Sequence, residues 1–202
     1  MARIERPTVI FDLGGVLVGV DFVRACKRLE AAGGAAAAVV YETIANGPDK
    51  QAFDTGRLSP QQFAARFCAS IGAHVSYADF ADIWCDIFAE QREVTGLLDR
   101  IATKADLVLL SNTDPLHLAY VRKHYDFLPK FGRMLLSYEV GYAKPARQIF
   151  ERALALCTPG ARMIYFDDVV EYVAAARACG LHAEQFVDAV KLRRDLERFG
   201  VL

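Results

Sequence analysis

The sequence predicts an α/β fold: a doubly wound parallel-sheet core with an inserted cap subdomain of four helices. From residue 93 onward, apolar runs of three to five residues alternate with helical patterns, which is typical of a parallel sheet covered by helices on both faces. Between residues 20 and 92 only helical patterns are present, whereas a simple crossover between parallel strands uses a single helix. We therefore assign residues 1–19 and 93–202 to the core and residues 20–92 to a helical cap.

Length and composition restrict the possible functions. The 202 residues are 53% hydrophobic and 24% charged, with a net charge of -1, so nothing favours nucleic acid or anionic membranes as partners. No segment approaches the roughly 18 apolar residues of a membrane helix. Arg3 and Arg6 precede an apolar run, but Asp12 interrupts that run, so we expect no secretory signal. The five scattered cysteines lack a C-x-x-C pair and indicate reduced thiols in a cytoplasmic protein.

The core elements follow from the positions of the apolar runs and of the helical periodicity. The first strand covers residues 9–11 and ends at Asp12. The later pattern predicts strands over 107–110, 134–136, 163–166 and 183–186, and helices over 93–104, 115–125, 146–156, 170–179 and 189–199.

The cap is predicted as helices over residues 21–31, 35–45, 60–70 and 77–89. The third helix has a clear start, because Ser59 and Gln62 form a capping-box pattern around Pro60. Trp84 is expected in an aromatic cap core, with stacking on a substrate as the less favoured alternative. The other expected core members are Phe63, Phe67, Phe80 and Phe88.

Asp12 directly follows the first buried strand and precedes Gly14 and Gly15. Glycines permit a sharp turn and the close approach of another molecule, and ligands bind at the carboxyl ends of such strands. A carboxylate in this place is a nucleophile, a metal ligand or a helix cap. Later segments are needed to choose among these readings.

Three later turns carry polar side chains at strand ends or before helices. Ser111 and Asn112 offer a hydroxyl and N–H groups to an oxyanion such as phosphate, although such residues are common in turns. Lys144 can neutralise a phosphate or a carboxylate, unless it is a solvated surface residue. Asp167 and Asp168 either cap the next helix or bind Mg²⁺, which prefers carboxylates, water and phosphate oxygens. Together the four strand ends predict one shared crevice.

These segments resemble the four motifs of the haloacid dehalogenase-like (HAD) hydrolase superfamily. The matching stretches are FDLGGVL at 11–17, LSNT at 110–113, AKP at 143–145 and FDD at 166–168. The resemblance covers essentially the whole chain, and the helical insert lies where that superfamily has a helical cap. It implies a Rossmann-like core and a hydrolase that acts on a small phosphorylated metabolite.

The resemblance also implies roles for individual residues. Asp12 resembles the nucleophile that forms an aspartyl-phosphate, and Lys144 resembles the cation that orients it. Ser111, Asn112, Gly14, Gly15 and Lys144 are implied as phosphate-binding residues. Asp12, Asp167, Asp168 and the Gly14 carbonyl are implied as ligands of Mg²⁺.

Two positions depart from the pattern of the superfamily. Gly14 stands where its phosphatases usually have a second Asp that protonates the leaving group, and losing such an acid costs about 10²–10⁴ in rate. Asp21 is a candidate substitute, but the favoured reading makes it the N-cap of the first cap helix. Tyr172 stands where related enzymes often have Asn or Asp, so we expect weaker support for the metal site.

Several functions remain open at this stage. The Gly-containing motif and the helical cap resemble a subgroup of this superfamily. That subgroup includes glucose-1-phosphate phosphatase-like proteins and proteins like the N-terminal phosphatase of epoxide hydrolases. A substrate with a good leaving group, such as an anomeric or acyl phosphate, would need less acid help. A weakly active or non-catalytic binding protein is the alternative that Gly14 and Tyr172 favour.

Other hydrolases of this superfamily fit the residues less well. A 2-haloacid dehalogenase needs no metal, and two adjacent carboxylates beside an anionic substrate make little sense without a cation. A phosphonate hydrolase would need a Schiff-base lysine from the cap, where only Lys27 and Lys50 are present. The sequence leaves the substrate and the oligomeric state open. Possible specificity residues in the cap are Tyr41, Arg57, Arg66 and His74.

Overall fold

The central sheet is parallel and its middle strand is β1. The computed structural model describes residues 6–158 and 160–202; the first five residues, with Arg3 and the start of the predicted core, lie outside the described part. The strands are β1 (Thr8–Phe11), β2 (Val18–Val20), β3 (Phe88–Glu90), β4 (Asp106–Ser111), β5 (Arg133–Leu136), β6 (Met163–Asp167) and β7 (His182–Gln185). Five of them form a sheet in the order β5-β4-β1-β6-β7.

Helices surround this sheet and fill the segment between β2 and β3. They are α1 (Phe22–Ala31), α2 (Ala37–Asn46), α3 (Pro48–Asp54), α4 (Pro60–Ile71), α5 (Tyr77–Cys85), α6 (Arg92–Thr95), α7 (Leu98–Ala102), α8 (Pro115–His124), α9 (Ser137–Val140), α10 (Arg147–Leu156), α11 (Val170–Ala178) and α12 (Ala189–Arg198). No described helix is long and apolar enough to cross a membrane.

The doubly wound fold is confirmed, because apolar side chains cover both faces of the sheet. Val9 and Phe11 of β1 belong to one buried cluster, whereas Ile10 belongs to another on the opposite face. Successive strand residues point to opposite faces, so a strand that is apolar at every position needs a packed layer on each side. The apolar runs in the sequence therefore predicted this architecture for a physical reason.

The segment 20–92 contains five helices, not the four that we expected. The additional helix is α3, which has only seven residues, starts directly after Gly47 and has no side-chain cap, so its pattern is too short to identify. Its Phe53 stacks on Phe63 at 4.3 Å between ring centroids. The expected aromatic core is present, with Trp84 and Phe80 fully buried in it. The division into core and cap domains stays a proposal.

Two predicted helices differ from the structure. The helix expected over 77–89 ends at Cys85, because the following residues form strand β3, which pairs antiparallel with β2. The helix expected over 93–104 is divided into α6 and α7, with Gly96 between them, and glycine is an unfavourable helix residue. The other predicted elements agree with the observed bounds to within two residues.

A buried polar network joins α5 to α8. Asp114 accepts hydrogen bonds from the Trp84 indole at 3.1 Å and from the His117 backbone at 2.9 Å. The His117 ring lies 2.8 Å from Asp114 through Nδ1 and 2.9 Å from the Trp84 carbonyl through Nε2. Both ring nitrogens of His117 thus lie within hydrogen-bond distance of an acceptor. Burial raises the pKa of Asp114, but the nearby His117 and Lys50 lower it by more, so the pKa is below its ordinary value.

We expect Asp114→Asn to lower the free energy of unfolding at pH 7 by about 1–3 kcal/mol, because an amide NH₂ group cannot accept the hydrogen bonds that the carboxylate takes from buried donors. Because the pKa of Asp114 is lowered in the folded state, its carboxylate stabilises the fold fully when the pH is above the ordinary pKa of 3.8. This stabilisation is lost as the pH falls through the folded-state pKa. Urea unfolding measures the change. Asp106→Asn is the control, since Asp106 forms half-exposed ion pairs with Arg6 and Arg133 that contribute about 1 kcal/mol or less. Equal losses in the two variants would contradict this stabilising role of Asp114.

Candidate active site

Asp12 lies at the carboxyl edge of the sheet between two neighbouring strands. Phe11, the last residue of β1, pairs with Leu109 of β4 and Phe166 of β6, so the next residue enters the crevice between them. One carboxylate oxygen of Asp12 accepts the Leu13 backbone N–H at 2.7 Å. Burial raises the pKa of Asp12 to about 7, opposed by Lys144 and assisted by Asp167.

Lys144 is a buried ammonium group between two carboxylates. Its Nζ lies 2.8 Å from Asp12 Oδ2 and 2.7 Å from Asp167 Oδ2, and it donates to the Leu110 carbonyl at 3.3 Å. Burial lowers the pKa of Lys144, but the two carboxylates raise it above its ordinary value. The side chain is therefore charged, and the alternative of a solvated surface lysine is wrong.

The Asn112 side chain fixes the backbone of Lys144. Its Oδ1 accepts the Lys144 backbone N–H at 2.7 Å and its Nδ2 donates to the Lys144 carbonyl at 2.8 Å. Sequence reasoning assigned Asn112 only a backbone role, because no local pattern reports a contact across 32 residues. Ser111 is buried as the last residue of β4, next to Leu110. Its role as a phosphate ligand stays a prediction.

Three carboxylates meet at this edge. Asp12, Asp167 and Asp168 each offer a ligand atom within 4.8 Å of the others. Asp167 already accepts from Lys144, from the Tyr165 hydroxyl and, at 2.9 Å, from the Val169 backbone N–H. Within the described part of the chain Asp168 forms no ion pair, so Asp12 and Asp168 have more capacity for an additional ligand than Asp167.

The charges of this cluster fit a divalent cation. Three carboxylates and one ammonium leave two negative charges in excess. Burial raises the pKa of Asp168, and the negative charge of the neighbouring Asp167 raises it further. Mg²⁺ binds through one or two carboxylates and completes its shell with water and phosphate oxygens. The donor set therefore matches the magnesium ion that the sequence predicted.

Gly15 permits Asp168 to approach the turn that follows β1. Its backbone has φ of 77°, and a Cβ atom there would overlap the Asp168 carboxylate. Its carbonyl accepts the Gln91 side-chain N–H at 2.8 Å, a contact between distant segments that the sequence did not indicate. Binding of phosphate by Gly14 and Gly15, and of metal by the Gly14 carbonyl, stays a prediction.

Asp21 and Tyr172 occupy different surroundings. Asp21 is exposed and accepts the Val23 backbone N–H at 3.1 Å as the N-cap of α1, which is the reading that the sequence favoured. Tyr172 lies in the site, with Lys144 Nζ 5.2 Å from its ring centroid. This distance is within the range of a cation–π interaction.

The proposed specificity residues are distributed over different surfaces. Tyr41 lines a cavity of about 670 Å³ that also exposes Lys144 and Asn112. Arg57 lines a neighbouring cavity beside the 141–146 loop. Arg66 pairs with Asp49 at 3.4 Å, and neither Arg66 nor His74 lines these two cavities.

Comparison with known proteins agrees with this fold. The model of the haloacid dehalogenase-like hydrolase family matches residues 7–180. D-ribitol-5-phosphate phosphatase of Bacteroides thetaiotaomicron is 25% identical over 156 residues, which cover 71% of this chain and 73% of that protein.

Solved structures show the same fold. A HAD family enzyme of B. thetaiotaomicron, in complex with magnesium and inorganic phosphate, superposes with a TM-score of 0.80 at 23% identity over 91% of this chain and 96% of the other. A predicted HAD-like family hydrolase of Porphyromonas gingivalis gives 0.82 at 23% identity over 96% and 97%. The chain thus has the architecture of a HAD-type hydrolase. Because the family model spans most of its length, it belongs to the haloacid dehalogenase-like hydrolase family.

We expect Gly15→Ala to weaken Mg²⁺ binding, because the added methyl group displaces Asp168. Gly72→Ala is a matched control: Gly72 has φ of 71°, and a Cβ atom added there would meet nothing within 4 Å. Both substitutions cost about 1–2 kcal/mol of backbone strain. Thermal unfolding with and without Mg²⁺ measures the difference, because a ligand that binds only the folded state raises Tm. Equal Mg²⁺-induced shifts in both variants would argue against Asp168 as a metal ligand.

Proposed function

We propose that this hydrolase is a Mg²⁺-dependent phosphatase that acts on a small phosphorylated metabolite. The observation that supports it most is the meeting of Asp12, Lys144 and the Asp167–Asp168 pair at one edge of the sheet. An attacking carboxylate, a fixed ammonium and spare carboxylate oxygens for a cation are the components that phosphoryl transfer needs.

In the proposed mechanism the free electron pair of an Asp12 carboxylate oxygen attacks phosphorus. The bond from phosphorus to the substrate oxygen breaks, and that oxygen leaves with the bonding electrons and gains a proton. Water then cleaves the resulting aspartyl-phosphate and restores the Asp12 carboxylate, with inorganic phosphate as the second product.

The surrounding residues position these steps. Lys144 holds Asp12 in place through the 2.8 Å ion pair and balances negative charge on the phosphoryl group. Ser111 and Asn112 are the proposed ligands of its oxygens. Asp12 and Asp168 would hold Mg²⁺, which supplies Lewis-acid stabilisation of the phosphoryl oxygens when bound.

The substrate is proposed to be a sugar or polyol phosphate. The similarity to a ribitol-phosphate phosphatase supports this class, and a similar fold has been solved with magnesium and phosphate together. A 2-haloacid dehalogenase is opposed by the excess negative charge beside Asp12, since an anionic substrate would add a further charge without a cation. A weakly active or non-catalytic protein is the second candidate, and Gly14 favours it because this position cannot supply an acid.

We expect the purified protein to release inorganic phosphate from phenyl phosphate with Mg²⁺ and to lose this activity in EDTA. Asp12→Asn should lower kcat by at least about 10³-fold, because an amide oxygen is a poor nucleophile. The control is Asp99→Asn, since the Asp99 side chain is 76% exposed. Unchanged turnover by Asp12→Asn would exclude Asp12 as the nucleophile, and unchanged turnover in EDTA would exclude the metal requirement.

The missing acid at position 14 predicts a steep dependence of kcat/KM on the pKa of the leaving group. We expect Asp21→Asn to leave this dependence unchanged, because the Asp21 carboxylate is exposed and caps α1. A series of substituted phenyl phosphates and alkyl phosphates measures it. A steeper dependence in Asp21→Asn would identify Asp21 as the acid.

A further inference from the structure

The cavity beside Lys144 extends from the strand ends to the cap. Its volume of about 670 Å³ lies in the range of small-molecule sites. The wall from the core includes Asn112, Ala143, Lys144 and Tyr172, and the wall from the cap includes Tyr41, Asn46, Lys50, Gln51 and Asp54. A phosphate ester with its phosphorus at Asp12 would therefore place its carbon chain against α2 and α3.

The cap wall contains one ion pair, Lys50 and Asp54, on successive turns of α3. Each side chain is only 16% exposed. Oδ2 of Asp54 accepts from the Lys50 ammonium, whereas the buried Oδ1 has no hydrogen-bond partner within residues 6–158 and 160–202. The Lys50 ammonium has three N–H donors, of which this contact uses one.

A buried carboxylate oxygen without a partner is unusual in folded proteins and unfavourable. Burial raises the pKa of Asp54 more than Lys50 lowers it, so a bound group that donates hydrogen bonds would stabilise the charged form. Lys50 and Asp54 both line the cavity, so unused ammonium donors lie next to a carboxylate at one place. A hydroxyl group both donates and accepts, so adjacent hydroxyl groups match this arrangement.

We propose that Lys50 and Asp54 bind hydroxyl groups of a polyhydroxylated carbon chain and so select polyol or sugar monophosphates. This inference rests on the proposed phosphatase function, which places the phosphate at Asp12 and Lys144. Asn46 and Gln51 on the same wall add amide groups that bind further hydroxyls. Among the described residues that line this cavity, a second phosphate on the substrate finds no unpaired cation, since Lys50 pairs with Asp54 and Lys144 pairs with Asp12 and Asp167.

The test compares two esters of equal carbon number, D-ribitol 5-phosphate and n-pentyl phosphate, with the full-length protein and Mg²⁺. The ratio of their kcat/KM values reports recognition of the hydroxyls, because both esters release a primary alcohol. Asp54→Asn and Lys50→Met should each lower this ratio by about 10- to 100-fold, the effect of losing one or two hydrogen bonds to a charged group. Asp49→Asn is the matched control, because Asp49 is on the same helix and does not line the cavity; it should keep the wild-type ratio.

The outcomes separate this inference from the proposed function. If the wild type hydrolyses both esters but shows no preference for the ribitol ester, or if both cavity variants keep the wild-type ratio, the inference is wrong and the phosphatase proposal stands. If the wild type releases phosphate from neither of these esters nor from phenyl phosphate, both are wrong. Two variants are used because one of them can fail to fold, which circular dichroism detects. A selective fall in the kcat/KM ratio of the two esters in either folded variant supports the proposal.

Discussion

The ammonium group of Lys144 is the interaction on which the site depends. Removing a charge from water is costly, and a buried pair is favourable only when its geometry is good and its remaining donors are satisfied. Lys144 meets this condition with Asp12 at 2.8 Å, Asp167 at 2.7 Å and the Leu110 carbonyl at 3.3 Å. These partners come from three adjacent strands, so the order β4-β1-β6 in the sheet determines whether the ammonium is stable there.

The charge of Lys144 also explains why the polar side chains around it are held in place by hydrogen bonds. Asn112 holds the Lys144 backbone on both sides of the residue, and Tyr165 and Val169 hold Asp167. With these contacts Asp167 acts mainly as the partner of Lys144. Burial nevertheless raises the pKa of Asp12 to about 7, and the neighbouring Asp167 adds to this rise, so one ammonium does not offset both effects. The folded chain thus maintains an electrostatically unfavourable cluster, as expected where charge is needed for chemistry.

The sequence predicted the parts of the molecule that follow from local pattern. Asp12, Lys144 and the Asp167–Asp168 pair were identifiable because the carboxyl ends of parallel strands meet at one edge. The Asp114–His117–Trp84 network was not, because it joins residues about 30 positions apart through contacts that depend on how the helices pack. The helix α3 was missed because seven residues contain too little periodicity. With it, Lys50 and Asp54 were missed as members of the cavity wall.

Because Gly14 offers no acid, the cap is expected to affect the chemical step as well as to cover the site. Gly14 has no side chain and so cannot supply a proton, and Asp21 is exposed and caps α1. The proton for the leaving oxygen would then come from water, from a hydroxyl of the substrate or from a group on the cap wall. A carbon chain held by Lys50 and Asp54 would keep its own hydroxyls close to the departing oxygen. Binding of the chain and protonation of the leaving group would then depend on the same contacts, so the choice of substrate and the rate of the first step would be linked.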